Sequence, residues 1–349
     1  MKVSILNCGR NGMIDLLRFV FCILIVLQHS SLFRGQMIAG YIGVEFFFLV
    51  SGWLLAEKMQ KANPIPNIFH KINSFYIEFC LATLISALLL KYFGIVTDGR
   101  SHLLGTINDL LVLQTFGFTV SSNTGVMWYL TVMLASYHLL LYLVCRFEKS
   151  FIYVFIPLIV LVIYGGISYK YHTINVILET TLDGFLLLGM LRGVAGMSLG
   201  VLLHEGSIYL RKINFTKLGK ILLSTIEVIS YILMVYIAVL IKVPSDWDYI
   251  MIMLCSIGVM ITFSELSIFY SFFQKHVCNL LGKLSLNVFL NHYFIALIIL
   301  KEIPDYPTST KMIYYFAGII VCTCINYYLA NILRVNLYSI KNRLIERKM

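Results

Sequence analysis

Residues 13–33 read MIDLLRFVFCILIVLQHSSLF, long enough to cross a bilayer as a helix yet carrying Asp15, Arg18 and His29. An ionisable group in a spanning helix costs about 2.5–3.5 kcal/mol for Arg or Asp near the centre, so each one needs a partner or a wet cavity. Arg18 and His29 are eleven residues apart. Helix geometry returns them to within about 20° of one face and separates them by roughly 16 Å along the axis. One face of one helix therefore carries a fixed cation near one end and a titratable imidazole near the other.

The rest of the chain has the same solvent. Of 349 residues, 59% are hydrophobic and 13% charged, and the mean hydropathy is +0.86. A soluble domain is roughly half apolar and about a quarter charged. The reading is an all-α polytopic membrane protein forming one unit over residues 1–349. Continuous apolar runs near 13–33, 40–58, 75–95, 125–146, 151–169, 187–205, 219–241, 249–267, 280–300 and 312–334 predict a bundle of about ten transmembrane helices. Lys and Arg concentrate in alternate connections and in the C-terminal tail, with Arg334, Lys341, Arg343, Arg347 and Lys348. That bias places both termini in the cytoplasm. The net charge of +10 is spread over short loops rather than gathered on one basic face, which argues against nucleic acid as a partner. The eight cysteines are scattered, and no His/Cys cluster has metal-ligand spacing.

With this orientation Arg18 lies near the inner leaflet and His29 in the outer half. Asp15 stands three residues from Arg18 on the same turn. The second helix runs back, so Glu45 in GVEFFFLVSGWLL reaches a depth similar to that of His29. A carboxylate beside an imidazole fixes its tautomer and stabilises the imidazolium; the bland alternative is a polar pair joining two helices. Trp128 and Tyr129 open the fourth helix, where interfacial anchoring is the simpler reading. Arg192 stands beside the stripe Gly189, Gly193, Gly196 and Gly200, either snorkelling to the interface or holding a polar group. In LGKLSLNVFLNHYFI, Ser285 and His292 share one face, while Asn287 and Asn291 share another. A helix this polar faces the bundle interior or a cavity. Residues 95–124 form the longest outer connection, too polar to span and apolar enough to lie at the interface or re-enter.

The run IDLLRFVFCILIVLQH, then GVEFFFLVSGWLL, the Trp-Tyr-Leu at 128, RGVAGMSLG around 192 and the closing LGKLSLNVFLNH resemble the membrane acyltransferase-3 family, in order and over nearly the whole chain. The Arg-x10-His followed by GVxFFFxxSG carries most of that resemblance. Members of the family move acyl groups, usually acetyl, from acyl-CoA to hydroxyls of sugars and cell-envelope polymers. The resemblance implies that Arg18 helps hold the CoA donor and that His29 is the catalytic histidine; Glu45, by its depth, is the residue expected to orient it. The acyl-CoA is a donor substrate, and no permanently bound cofactor or metal is implied. Arg192, Trp128, Asn291 and His292 would line the saccharide acceptor cavity. Lys71, in HKINSFY, stands where the family often carries an Arg-rich pattern, but without the bidentate fork of arginine. The glutamate that some members carry five residues after the tryptophan is Met133 here.

The expectation is a multi-pass O-acetyltransferase of the bacterial cytoplasmic membrane, associated with polysaccharide biosynthesis machinery. His29 would act as general base, with a transient acyl-histidine as the competing route. Two other classes stay open. A saccharide or lipid-linked sugar transporter calls for inverted repeats and broken helices, and neither is evident. A membrane sensor or scaffold calls for no acyl-CoA binding.

Overall fold

A computed structural model describes residues 10–59, 75–116, 125–176, 180–181, 186–241 and 245–346. Helices dominate: α1 Gly12–His29, α2 Ser31–Arg34, α3 Ile42–Met59, α4 Tyr76–Tyr92, α5 Gly99–Leu110, α6 Trp128–Ser150, α7 Ile156–Tyr171, α8 Leu188–Lys212, α9 Lys217–Leu240, α10 Trp247–Ser264, α11 Tyr270–Phe273, α12 His276–Glu302 and α13 Thr308–Glu346. One two-residue antiparallel ladder, Thr180–Thr181 with Leu186–Leu187, precedes α8. Each of the ten apolar stretches is a helix. Among the described residues, seven are long and apolar enough to cross a membrane. The expected count of ten is not reached on that measure. Helix α3 carries Glu45, Glu57 and Lys58, α4 has 17 residues, and α8 carries Arg192 and Glu205.

Two helix pairs frame the bundle. In the first, α1 and α12 run parallel: Gly282 abuts Asp15, the Cys22 thiol donates to the Ser285 carbonyl at 3.2 Å, and His29 meets His292. The Asn11 side chain starts α1, accepting from the backbone of Met13 at 3.0 Å and Ile14 at 3.2 Å. In the second, α3 and α8 run parallel in closer contact still. A Cβ on Gly52 would lie 2.0 Å from the Met197 carbonyl oxygen, and one on Gly200 would lie 2.2 Å from that of Leu49. The glycine stripe of α8 thus lets two backbones touch, the use such stripes serve in membranes.

The N-terminal ends of α1 and α12 and the C-terminal ends of α3, α8 and α10 gather at one basic face. There the Arg10 side chain donates to the Asn279 carbonyl at 2.9 Å, and Arg211 donates to the Phe263 carbonyl at 2.5 Å. The opposite face is closed by the link between α1 and α3. The Ala39 amide donates to the Ala238 carbonyl at 2.8 Å and the Tyr41 hydroxyl to Asp248 at 2.7 Å.

Two connections differ from a simple up-and-down reading. Helix α5 re-enters alongside α4. The His102 ring donates to the Ala87 carbonyl at 2.9 Å and the Tyr76 hydroxyl to the Leu110 carbonyl at 2.9 Å, so α5 returns most of the way to the basic face. Its apolar residues Leu103, Leu104 and Ile107 stay exposed, as a lipid-facing side would be. The second concerns α6 and α7, for which the sequence suggests a hairpin loop at 147–150. Instead the helical hydrogen bonding continues through a π-turn at Phe151–Phe155. Val132 near the start of α6 and Tyr164 near the end of α7 both pack on the Gly193–Gly196 turn of α8, so the chain reverses within that turn.

Candidate active site: a histidine pair at the end of a basic cavity

His29 ends α1, and its Nδ1 lies 3.0 Å from the Ile25 carbonyl and 3.2 Å from Nε2 of His292. Nδ1 of His292 lies 2.7 Å from the Phe289 carbonyl. A carbonyl oxygen accepts only, so each Nδ1 carries the hydrogen. His292 donates from Nδ1 to Phe289 and presents a bare Nε2 to the Nδ1–H of His29. That leaves Nε2 of His29 unprotonated as well, and among the described residues no hydrogen bond occupies it. The Tyr293 ring stands edge-on to His29 at 5.2 Å. Gly125, with φ 60°, presses against that ring; a Cβ there would lie 2.3 Å from it.

From the basic face a cavity of ≈ 560 Å³ leads toward this pair. Arg10, Arg18, Lys283 and Arg334 contribute its cations. The anion among them, Glu78, is ion-paired with Arg334. Asp15 steadies two others, pairing with Arg10 and lying 3.6 Å from Arg18. The deep end is apolar and aromatic, formed by Phe47, Tyr129 and Phe289. The Phe289 ring is 5.7 Å from that of His292. Arg18 lines this cavity, while His29 lies beyond its aromatic end, past Phe289 and His292.

The expected Glu45–His29 pairing is not what forms. The Glu45 carboxylate is bonded to Arg192 Nε through one oxygen and accepts from the Tyr164 hydroxyl at 2.6 Å through the other. Glu45 and Arg192 are both 0% exposed. The cause lies in the parallel packing of α3 on α8, which brings the first turns of the two helices to the same depth, where opposite charges neutralise each other. Arg192 neither snorkels nor opens to a cavity. Its Nη2 donates to the Tyr41 carbonyl at 2.9 Å and its guanidinium lies 5.7 Å above the Trp128 ring. The Trp128 ring thus packs on this cluster.

His292, expected among acceptor contacts, is instead the partner of His29. Asn291 is buried, with its amide donating to the Asn287 carbonyl at 2.7 Å. Lys71 lies outside the described residues. Sequence reasoning missed Arg10, Lys283, Arg334 and the aromatic end of the cavity. Of these only Lys283, two residues before Ser285 on a helix already marked as polar, left a local signal.

Searches of the curated proteins and of the solved structures give no match. A family model described as an acyltransferase domain, Acyl_transf_3, matches residues 11–331, from the cap of α1 to within α13. The matched segment contains the histidine pair and nearly all of the cavity, and the chain belongs to this family of membrane acyltransferases.

Proposed function

We propose that the protein is an O-acetyltransferase that moves the acetyl group of acetyl-CoA to a hydroxyl of a cell-surface saccharide or its lipid-linked precursor. It would sit in the bacterial cytoplasmic membrane, with the basic face in the cytoplasm and polysaccharide biosynthesis as its context. One observation carries this reading: a cation-lined cavity on the basic face ends at Phe289, whose ring packs on His292, the partner of His29. Arg10, Arg18, Lys283 and Arg334 suit the phosphates of a CoA nucleotide. The extended pantetheine arm is of the same order as the roughly 16 Å between Arg18 and His29.

The acceptor hydroxyl oxygen attacks the thioester carbonyl, and its proton passes to Nε2 of His29. The C–S bond breaks, and the proton moves on to the departing thiolate, giving an ester and free CoA. As His29 becomes charged, its Nδ1–H bond to the bare Nε2 of His292 strengthens, which is the office the sequence assigned to Glu45. General base catalysis of this kind contributes roughly 10²–10⁴-fold. The test is incubation of the purified protein with radiolabelled acetyl-CoA and a panel of candidate glycans. Label in a glycan, removed by mild base, supports the reading. Absence of any acetyl-CoA binding would remove the donor assignment and favour a transporter or scaffold.

A further inference from the structure

The cavity does not open onto the histidines. Phe47 of α3, Tyr129 of α6 and Phe289 of α12 stand between, and the three rings touch one another pairwise. Their centroids are 6.0 Å apart for Phe47 and Tyr129, 6.5 Å for Phe47 and Phe289, and 5.8 Å for Tyr129 and Phe289. These are ordinary separations for packed aromatic rings. All three line the cavity, and Phe289 is the ring that touches His292. Phe48, which does not line the cavity, packs behind Tyr129 at 4.9 Å. The barrier is one ring thick, built from three helices, and lies where a thioester arriving from the basic face must place its acyl group.

Taking the acyl-CoA reading as its premise, we propose that the triangle of Phe47, Tyr129 and Phe289 is the specificity determinant that limits the donor to short acyl groups. The acceptor oxygen stands between Nε2 of His29 and the thioester carbonyl, so the carbonyl stops at the ring layer and its acyl tail packs among these rings. Protein interiors leave few voids, so each added methylene must displace a ring. A hydrophobic pocket discriminates one methylene by roughly 10–200-fold. Acetyl fits by slight parting of the rings, and longer chains require the triangle to come apart.

The test uses non-transferable donors, so no acceptor is needed. Full-length protein in lipid nanodiscs is titrated calorimetrically with CoA, S-ethyl-CoA, S-butyl-CoA and S-hexyl-CoA. The wild type is expected to bind S-ethyl-CoA at least about tenfold more tightly than S-hexyl-CoA. Phe289→Leu and Phe47→Ala, which thin the barrier from two different helices, should each narrow that ratio by roughly tenfold. Phe48→Leu, on the far side of Tyr129, should leave it unchanged while losing similar packing. Equal affinity for the three thioethers in the wild type, or an unchanged ratio in both barrier variants, overturns the proposal. Failure of the wild type to bind CoA or any thioether strikes the acyl-CoA reading instead, a result distinct from equal binding.

Discussion

Two buried polar clusters lie in this bundle, and they are built to opposite ends. Around Glu45, a carboxylate, a guanidinium and a tyrosine hydroxyl close on each other, and both carboxylate oxygens are engaged. Around His29, two imidazoles line up head to tail, and the chain of donors ends on a bare nitrogen beyond the cavity. Burying a charge is costly unless it is paired, so the first cluster satisfies the bilayer by neutralisation. Neutral imidazoles have less to satisfy, so the second can leave one nitrogen open to chemistry. A buried ionisable residue is thus not evidence of a site until its partners are counted.

The comparison can be broken from either side. The largest effect expected is on stability: Glu45→Ala leaves Arg192 buried and unpaired, at a cost of about 3–5 kcal/mol. Thermal melting in detergent and the yield of monodisperse protein would report it. The double variant Glu45→Gln/Arg192→Met should recover most of that loss, because it removes both charges. An activity loss in the double variant, with normal melting, would move the cluster into the catalytic machinery.

His292→Ala should weigh on catalysis instead: it leaves a small cavity but no unpaired charge, so melting falls less than in Glu45→Ala, while kcat drops by about 10²-fold through a misoriented His29. His292→Asn, which keeps a hydrogen-bond acceptor, should restore part of the rate. A smaller change is expected at the mouth of the cavity. Arg18→Ala should raise KM for the donor by roughly tenfold, the weight of one charge-assisted contact, with kcat little altered. The donor KM should also rise with salt, since Arg10 and Arg18 are partly exposed and screened.

How much of this was legible in the chain follows from which contacts are local. Helix positions were readable because a bilayer demands long apolar runs, and each expected stretch is a helix. The alignment of Arg18 with His29 was readable because both lie on one helix. Glu45 was misassigned because its partner is set by packing. Its expected partner, His29, lies on α1, whereas its actual partner comes from α8, 147 residues away. The glycine stripe beside Arg192 signalled a close helix contact without saying which helix would fill it. The base's partner and the cavity's Arg334 come from α12 and α13, and only the tertiary arrangement joins them to α1. The reversal between α6 and α7 was readable from the polar run at 146–150, but not its form, a π-turn at Phe151–Phe155 in place of a loop.

The most direct test of the contrast is a single assay of acetyl transfer from radiolabelled acetyl-CoA. Wild type, His29→Ala and Glu45→Gln/Arg192→Met would be compared in the same vesicles after matching for folded protein. The account predicts that His29→Ala, folded, loses at least about 10²-fold in transfer, and that the double variant keeps most of it. Wild-type transfer by His29→Ala, or its abolition in a well-folded double variant, would contradict it.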